Sequence, residues 1–85
     1  MHVELAAEAQ KQMERLPNDI AIRIAAKLRW YADQADPLSF AIPLVGRKES
    51  IYRFRIGDYR AIFIIKKGVI SVLFVLAVKH RSQAY

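Results

Sequence analysis

Tyr52-Arg-Phe-Arg-Ile-Gly-Asp-Tyr-Arg-Ala-Ile-Phe63 is the stretch that decides the fold. Tyr52, Phe54 and Ile56 alternate with Arg53 and Arg55, the period of two that marks a strand with one apolar and one basic face. Gly57-Asp58 interrupts the run, and glycine at the first central position suits a two-residue type II′ hairpin turn. A turn of that length fixes the register: Ile56 pairs with Tyr59, Arg55 with Arg60, Phe54 with Ala61, Arg53 with Ile62 and Tyr52 with Phe63. All the aromatic residues then share one face, and Arg53, Arg55 and Arg60 share the other.

Upstream, the period changes to that of a helix. Leu5, Ala9, Met13 and Leu16 line one face of a short amphipathic helix, and Ile20, Ile24, Leu28 and Tyr31 line a second. Pro17-Asn18-Asp19 between them suits a turn and a new helix start, with Asn or Asp available as a cap, so the two form a helical hairpin. Residues 1–4, at the start of the alternating His-Val-Glu-Leu run, leave a short first strand open. Residues 37–50 hold Pro37, Pro43, Gly46 and the polar Arg47-Lys48-Glu49-Ser50, and read as a connection with little regular structure. Downstream, Lys66-Lys67-Gly68 reads as a second turn and 69–78 as a strand apolar on both faces, central or covered on both sides. Two helices followed by an antiparallel sheet of three to four strands make an α+β domain.

With 85 residues, the chain has room for a single core, and one domain over 1–85 is expected. Hydrophobic residues at 54% exclude intrinsic disorder. The absence of cysteine excludes disulfides, thiol catalysis and cysteine-held metals. His2 and His80 are too few for a histidine-rich metal site, and neither a phosphate-binding glycine loop nor a serine-hydrolase signature is present. No metal or other cofactor is therefore expected. The longest apolar stretch, 69–78, is about half of the roughly 20 residues a membrane-crossing helix needs. No membrane partner and a cytoplasmic location are the corresponding expectations.

The net charge of +6 is unevenly placed. Residues 1–43 carry five Lys/Arg against six Asp/Glu, net −1, whereas residues 44–85 carry nine against two, net +7. A polyanion, either nucleic acid or an acidic protein, is the partner this asymmetry suggests. Directly opposed like charges destabilise a sheet, so Arg55 facing Arg60 makes poor scaffold chemistry unless an anion or a partner sits between them. If Lys66 pairs with Val69, Arg60 faces Val75 and shares its face with Lys79 and Arg81. A register slipped by one presents His80 instead. Both registers carry the terminal cluster Lys79-His80-Arg81 towards the Gly57-Asp58 end. Arginine supplies bidentate phosphate binding, His80 a proton exchanger and Tyr85 a stacking ring or a hydroxyl, a set suited to RNA phosphodiester chemistry.

Leu44-Val-Gly46, Tyr52-Arg-Phe-Arg-Ile-Gly-Asp-Tyr-Arg60 and the terminal His80-Arg81-Ser-Gln-Ala-Tyr85, together with Glu-Ala-Gln-Lys-Gln-Met-Glu-Arg-Leu-Pro in the first helix, resemble the RelE branch of the RelE/ParE toxin superfamily. The resemblance spans essentially the whole chain. It implies a RelE-like fold and the toxic half of a type II toxin–antitoxin pair: a ribosome-dependent, metal-independent mRNA endonuclease that stops translation. It implies attack of a ribose 2′-hydroxyl on the adjacent phosphate, leaving a 2′,3′-cyclic phosphate. On that resemblance Arg55, Arg60, Arg81 and Tyr85 are the catalytic set and Arg53 binds RNA; Lys79, His80, Arg47 and Lys48 are further RNA-binding candidates in the basic second half. Where members with lysine at the Arg55 position can use it as a base, arginine holds its proton and is suited instead to stabilising charge. The implied partners are a cognate acidic, RelB-like antitoxin, a heterotetramer with it being compatible, and the ribosome with its mRNA. The alternative on the same fold is a non-catalytic, ParE-like inhibitor of DNA gyrase.

Overall fold

The structure is a computed structural model that describes residues 1–44 and 50–83. In chain order it comprises β1 (His2–Leu5), α1 (Ala7–Glu14), α2 (Asn18–Ala32), a 3-10 turn (Pro37–Phe40), β2 (Ile42–Pro43), β3 (Tyr52–Ile56), β4 (Tyr59–Lys66) and β5 (Val72–His80). The strands form one five-stranded sheet in the order β1-β5-β4-β3-β2. The helical hairpin and the α+β class follow the sequence pattern.

The β3–β4 hairpin has the register that the two-residue turn imposes, from Ile56 opposite Tyr59 to Tyr52 opposite Phe63. Gly57 has φ 58, and no other described residue has a positive φ. Positive φ at the first central residue alone is the type II′ pattern. The hairpin's apolar face meets α2 through a stack of rings. Tyr31 lies 4.0 Å from Phe54 at 7°, and Phe54 lies 4.1 Å from Phe63 at 16°. Phe54 and Phe63 are fully buried, beside Ile24, Leu28, Leu73 and Val75. Rings so arranged add about 0.5–1.5 kcal/mol per pair beyond the area they bury.

Four features depart from, or add to, the sequence reading. β1 forms and pairs in parallel with β5, from His2 opposite Val72 to Leu5 opposite Val75, so the sheet is mixed. α1, which follows β1, packs on β5, and the connection between the two parallel strands runs through the rest of the domain. Within 37–50, Ile42 and Pro43 form a short edge strand opposite Arg53 and Tyr52, where a proline does no harm to the ladder. α2 starts at Asn18 with Pro17 as its N-cap and no side-chain cap bond; the Pro17 carbonyl accepts from the Ile20 and Ala21 N–H groups instead.

The fourth concerns β5, which begins at Val72 rather than Val69. Lys66 pairs with Val72, and residues 67–71 form a wide turn with Val69 fully exposed. A two-residue turn there needs a positive φ that Gly68 does not take. Higher up, Ile62 pairs with Ala77 but Phe63 pairs with Val75, leaving Leu76 as the extra residue of a β-bulge. Val75 and Val78 both bury on the helix side as a result. The Val78 N–H next to this irregularity donates to Gln12 Oε1 at 2.6 Å, tying α1 to β5.

Gly57 has open space around its Cα, so Gly57→Ala meets no clash and tests backbone conformation alone. The substitution is expected to cost about 1–2 kcal/mol, the penalty for an L-residue at positive φ. Chemical denaturation should show a lower midpoint with an unchanged slope, and a wild-type midpoint would refute the turn assignment.

Candidate anion-binding face and its flanks

Because paired residues of neighbouring strands share a face, the hairpin register puts Arg55 and Arg60 side by side on the sheet face away from the helices. The wide turn and the bulge together pair Arg60 with Lys79, not with Val75 as a two-residue turn with Lys66 opposite Val69 would. Arg55, Arg60 and Lys79 thus form one row of three cations across β3, β4 and β5. Their Cβ atoms are separated by the roughly 4.5–5.5 Å of directly opposed pairs. Below the row the same face turns apolar, with Ile62 opposite Ala77 and Ile64 opposite Phe74, and the Lys66 ammonium lies 3.8 Å above the Phe74 ring.

The members of the row are held differently. Arg60 Nη1 donates to the Gly57 carbonyl at 3.0 Å and to the Tyr59 carbonyl at 2.8 Å, which folds the guanidinium back on the hairpin turn. Its remaining N–H groups are the donors an anion would meet. Arg55 is exposed, and its carbonyl accepts the Tyr31 hydroxyl at 2.9 Å, so α2 anchors the backbone that carries it. Arg53 stands between Ile42 and Ile62 in the next rank, half-buried, and its Nε is buried with no hydrogen-bond partner. A buried donor without a partner costs about 1–3 kcal/mol, which an anion accepting from it would recover. Its stem explains how Ile62, on the open face, is buried.

The end of β5 brings the terminal cluster to the hairpin turn, as both sequence registers expected. The Arg81 N–H donates to the Asp58 carbonyl at 2.7 Å, and Arg81 Nε lies 3.7 Å from Asp58 Oδ1 in an exposed ion pair. Pairs so exposed contribute little, so Asp58 holds Arg81 near the turn without fixing it. His80 is placed apart from the row. It pairs with Tyr59, meets that ring edge-on at 5.4 Å, and faces the helix side beside Gln12 and Arg15 of the α1 segment. His80 Nδ1 is held by Ser82, 2.9 Å from its hydroxyl and 3.2 Å from its backbone nitrogen. Arg47, Lys48 and Tyr85 lie outside the described residues. No group of three or more His, Asp or Glu side chains suited to a metal comes together among the described residues. No helix of the described chain is long and apolar enough to cross a membrane.

Arg23, Lys27 and Trp30 are absent from the sequence-based candidates. With Arg55, Ile56 and Gly57 they line a groove of about 450 Å³ between α2 and β3. Their spacing of four and three on α2 could have revealed them as one helical face.

The comparisons with known proteins agree with this geometry. The family model described as ParE toxin of type II toxin–antitoxin system, parDE, matches residues 3–85. The chain belongs to that toxin family, within the RelE/ParE superfamily. Among solved structures, it is similar to the toxin–antitoxin complex RelBE2 from Mycobacterium tuberculosis, with a TM-score of 0.73 and 23% identity over 94% of this chain and 96% of that one. It is also similar to the archaeal RelE–RelB complex from Pyrococcus horikoshii, with a TM-score of 0.67 and 26% identity over 98% and 97% of the two chains. A third likeness is to a YoeB/ParE toxin from Agrobacterium tumefaciens, with a TM-score of 0.72 and 16% identity over 94% and 98%. Among curated proteins none matches.

Burial pushes the Tyr31 phenol up from its ordinary 10.0. A phenol whose folded-state value is raised contributes stability that is fully present below the unfolded value and lost as pH rises through the folded one. Tyr31→Phe should therefore lose about 0.5–1.5 kcal/mol near neutral pH, through the missing bond to the Arg55 carbonyl, and should lack the part of the alkaline fall that begins near pH 10. Denaturation midpoints of both proteins across pH 8–11 test this; parallel curves would show that the phenol does not titrate with unfolding.

Proposed function

We propose that this toxin is a ribosome-dependent mRNA endonuclease that acts without a metal and stops translation. The observation that carries the reading is the row Arg55–Arg60–Lys79. Arg55 and Arg60, directly opposed, repel one another in the free protein, and a phosphodiester laid across the row relieves that repulsion. In the reaction a ribose 2′-oxygen attacks the adjacent phosphorus and the 5′-oxygen leaves, giving a 2′,3′-cyclic phosphate and a 5′-hydroxyl. Negative charge on the non-bridging oxygens rises in the pentacoordinate transition state. Guanidinium donors set in place beforehand stabilise that state more than the ground state, which is how they lower the barrier.

Arg60, already oriented by two turn carbonyls, is suited to a non-bridging oxygen. Arg55 and Lys79 flank it, Arg81 approaches from the turn, and the unpartnered Arg53 Nε offers a contact one rank away. Both row arginines hold their protons at neutral pH, so they stabilise charge and do not accept the 2′-hydroxyl proton. The further roles are base stacking by Tyr85, carried by the resemblance, RNA contacts by Arg47 and Lys48, and a peripheral contact by His80. The partner that restrains the toxin is proposed to be an acidic, RelB-like antitoxin, because the relatives from M. tuberculosis and P. horikoshii were solved as toxin–antitoxin complexes. A cytoplasmic site of action follows from a ribosomal target. The second reading, a gyrase inhibitor, has in its favour that the matching family model is the ParE toxin.

Purified protein added to translating ribosomes, with 5′-hydroxyl ends mapped on the mRNA, tests the first reading, and a gyrase supercoiling assay tests the second. Arg60→Ala is expected to slow cleavage roughly 100- to 1000-fold, by analogy with a lost transition-state donor. Its melting temperature should hold or rise, since the residue removed stands between two other cations. Full cleavage by the folded variant would remove Arg60 from the site. Supercoiling inhibition without any mRNA ends would replace the endonuclease with the gyrase inhibitor.

A further inference from the structure

The hairpin turn holds both of the arginines beside it. Arg60 Nη1 donates to the Gly57 and Tyr59 carbonyls at 3.0 and 2.8 Å. Asp58, the residue between, serves Arg81: its carbonyl accepts the Arg81 N–H at 2.7 Å, and its Oδ1 lies 3.7 Å from Arg81 Nε. The two arginines are thus held in different ways. Neutral carbonyls orient Arg60, whereas Arg81 faces a charge of opposite sign. Residues 44–85 contain nine Lys/Arg and only two acidic residues, Glu49 and Asp58, and Glu49 lies outside the described residues. A carboxylate at the end of a cationic row repels the phosphate that the row is proposed to bind. The turn itself does not require it, since asparagine or serine after the glycine suits the same hairpin.

The geometry of the ion pair accounts for an acidic residue there. At 3.7 Å the contact is too long for a hydrogen bond, so the carboxylate attracts the Arg81 guanidinium without taking up its N–H donors. β5 ends at His80, and the chain turns at 81–83, where the Gln83 N–H donates to the His80 carbonyl. With its side chain 64% exposed, Arg81 has room for many rotamers there. We propose that Asp58 is a positioning residue: its carboxylate biases Arg81 towards the turn end of the row Arg55–Arg60–Lys79, so that the guanidinium stands ready when a phosphate arrives. Ordering Arg81 beforehand lowers the barrier to cleavage, while the same negative charge weakens RNA binding in the ground state. The kinetic half rests on the reading of Arg81 and the row as the endonuclease site.

The test compares the full chain with Asp58→Asn, which keeps the turn chemistry and the backbone carbonyl and removes only the charge. Asp58→Ser serves if that variant unfolds, with the melting temperature as the check. By NMR relaxation, the order parameter of the Arg81 Nε–H bond is expected to fall in the variant, while that of Arg60, held by carbonyls, stays level. On translating ribosomes kcat for mRNA cleavage should fall at least threefold with KM level or lower, a split that a merely loosened turn does not produce. Asp58→Glu, which keeps the charge, should hold both the Arg81 order parameter and kcat within twofold of wild type. An unaltered Arg81 order parameter, an unaltered kcat, or an Asp58→Glu variant as defective as Asp58→Asn would overturn the proposal. Equal loss of order at Arg60 and Arg81 would overturn it too, because that marks a loosened turn. A wild-type protein that cleaves no mRNA would remove the endonuclease reading, and the kinetic half with it, while the order parameters would still decide whether Asp58 positions Arg81.

Discussion

A two-residue turn leaves a hairpin no choice of register, and in this protein that constraint sorts every side chain of β3 and β4. With Gly57 at positive φ and Ile56 opposite Tyr59, the rings of Phe54 and Phe63 come together on one side and the guanidinium groups of Arg55 and Arg60 on the other. A shift by one residue would exchange the two faces, exposing the aromatic stack and driving arginines into the core. The cost of burying an unpaired charge is far larger than any other term in the hairpin, so the arrangement is strongly specified. The helices then dock where the rings are. Tyr31 of α2 does so twice, stacking on Phe54 and donating to the Arg55 carbonyl, and so couples the core to the strand that carries the cationic face.

The bulge at Leu76 has a functional consequence out of proportion to its size. By adding one residue to β5 it lets Leu73, Val75 and Val78 all reach the core, and it exchanges which of Lys79 and His80 lies on the face that carries Arg60. Lys79 joins the row, while His80 turns to Tyr59 on the helix side. The open face therefore presents permanent positive charge where a strand of strict alternation would place a titratable ring. For a surface whose proposed work is to hold and stabilise phosphate charge, that is the more useful choice.

Arg55 directly opposite Arg60 carries a stability penalty in the free chain. Asp58 is the one carboxylate seen close to the cluster among the described residues, and its pair with Arg81 is exposed. Membership of a toxin–antitoxin family gives this basic face a context, since positive charge gathered on one surface attracts an external anion.

The sequence alone determined the hairpin, its register, the two helices and the opposed Arg55 and Arg60, because each follows from local periodicity and one turn of fixed length. It also carried the toxin resemblance, through the Tyr52-to-Arg60 string and the terminal cluster. What only the tertiary structure decided depends on contacts distant in the chain. β1 became a parallel strand because residues 2–5 meet 72–75 at the other end of the chain, a pairing no local pattern encodes. The wide turn at 67–71 and the bulge at Leu76 arose because core packing governs β5, overriding both the turn-like Lys66-Lys67-Gly68 and the strand-like Val69 and Ile70. Lys79 entered the row for the same reason. The α2–β3 groove, finally, needed Arg23, Lys27 and Trp30 to meet a strand edge 25 to 34 residues away in sequence, and only the docking of helix on sheet brings them there.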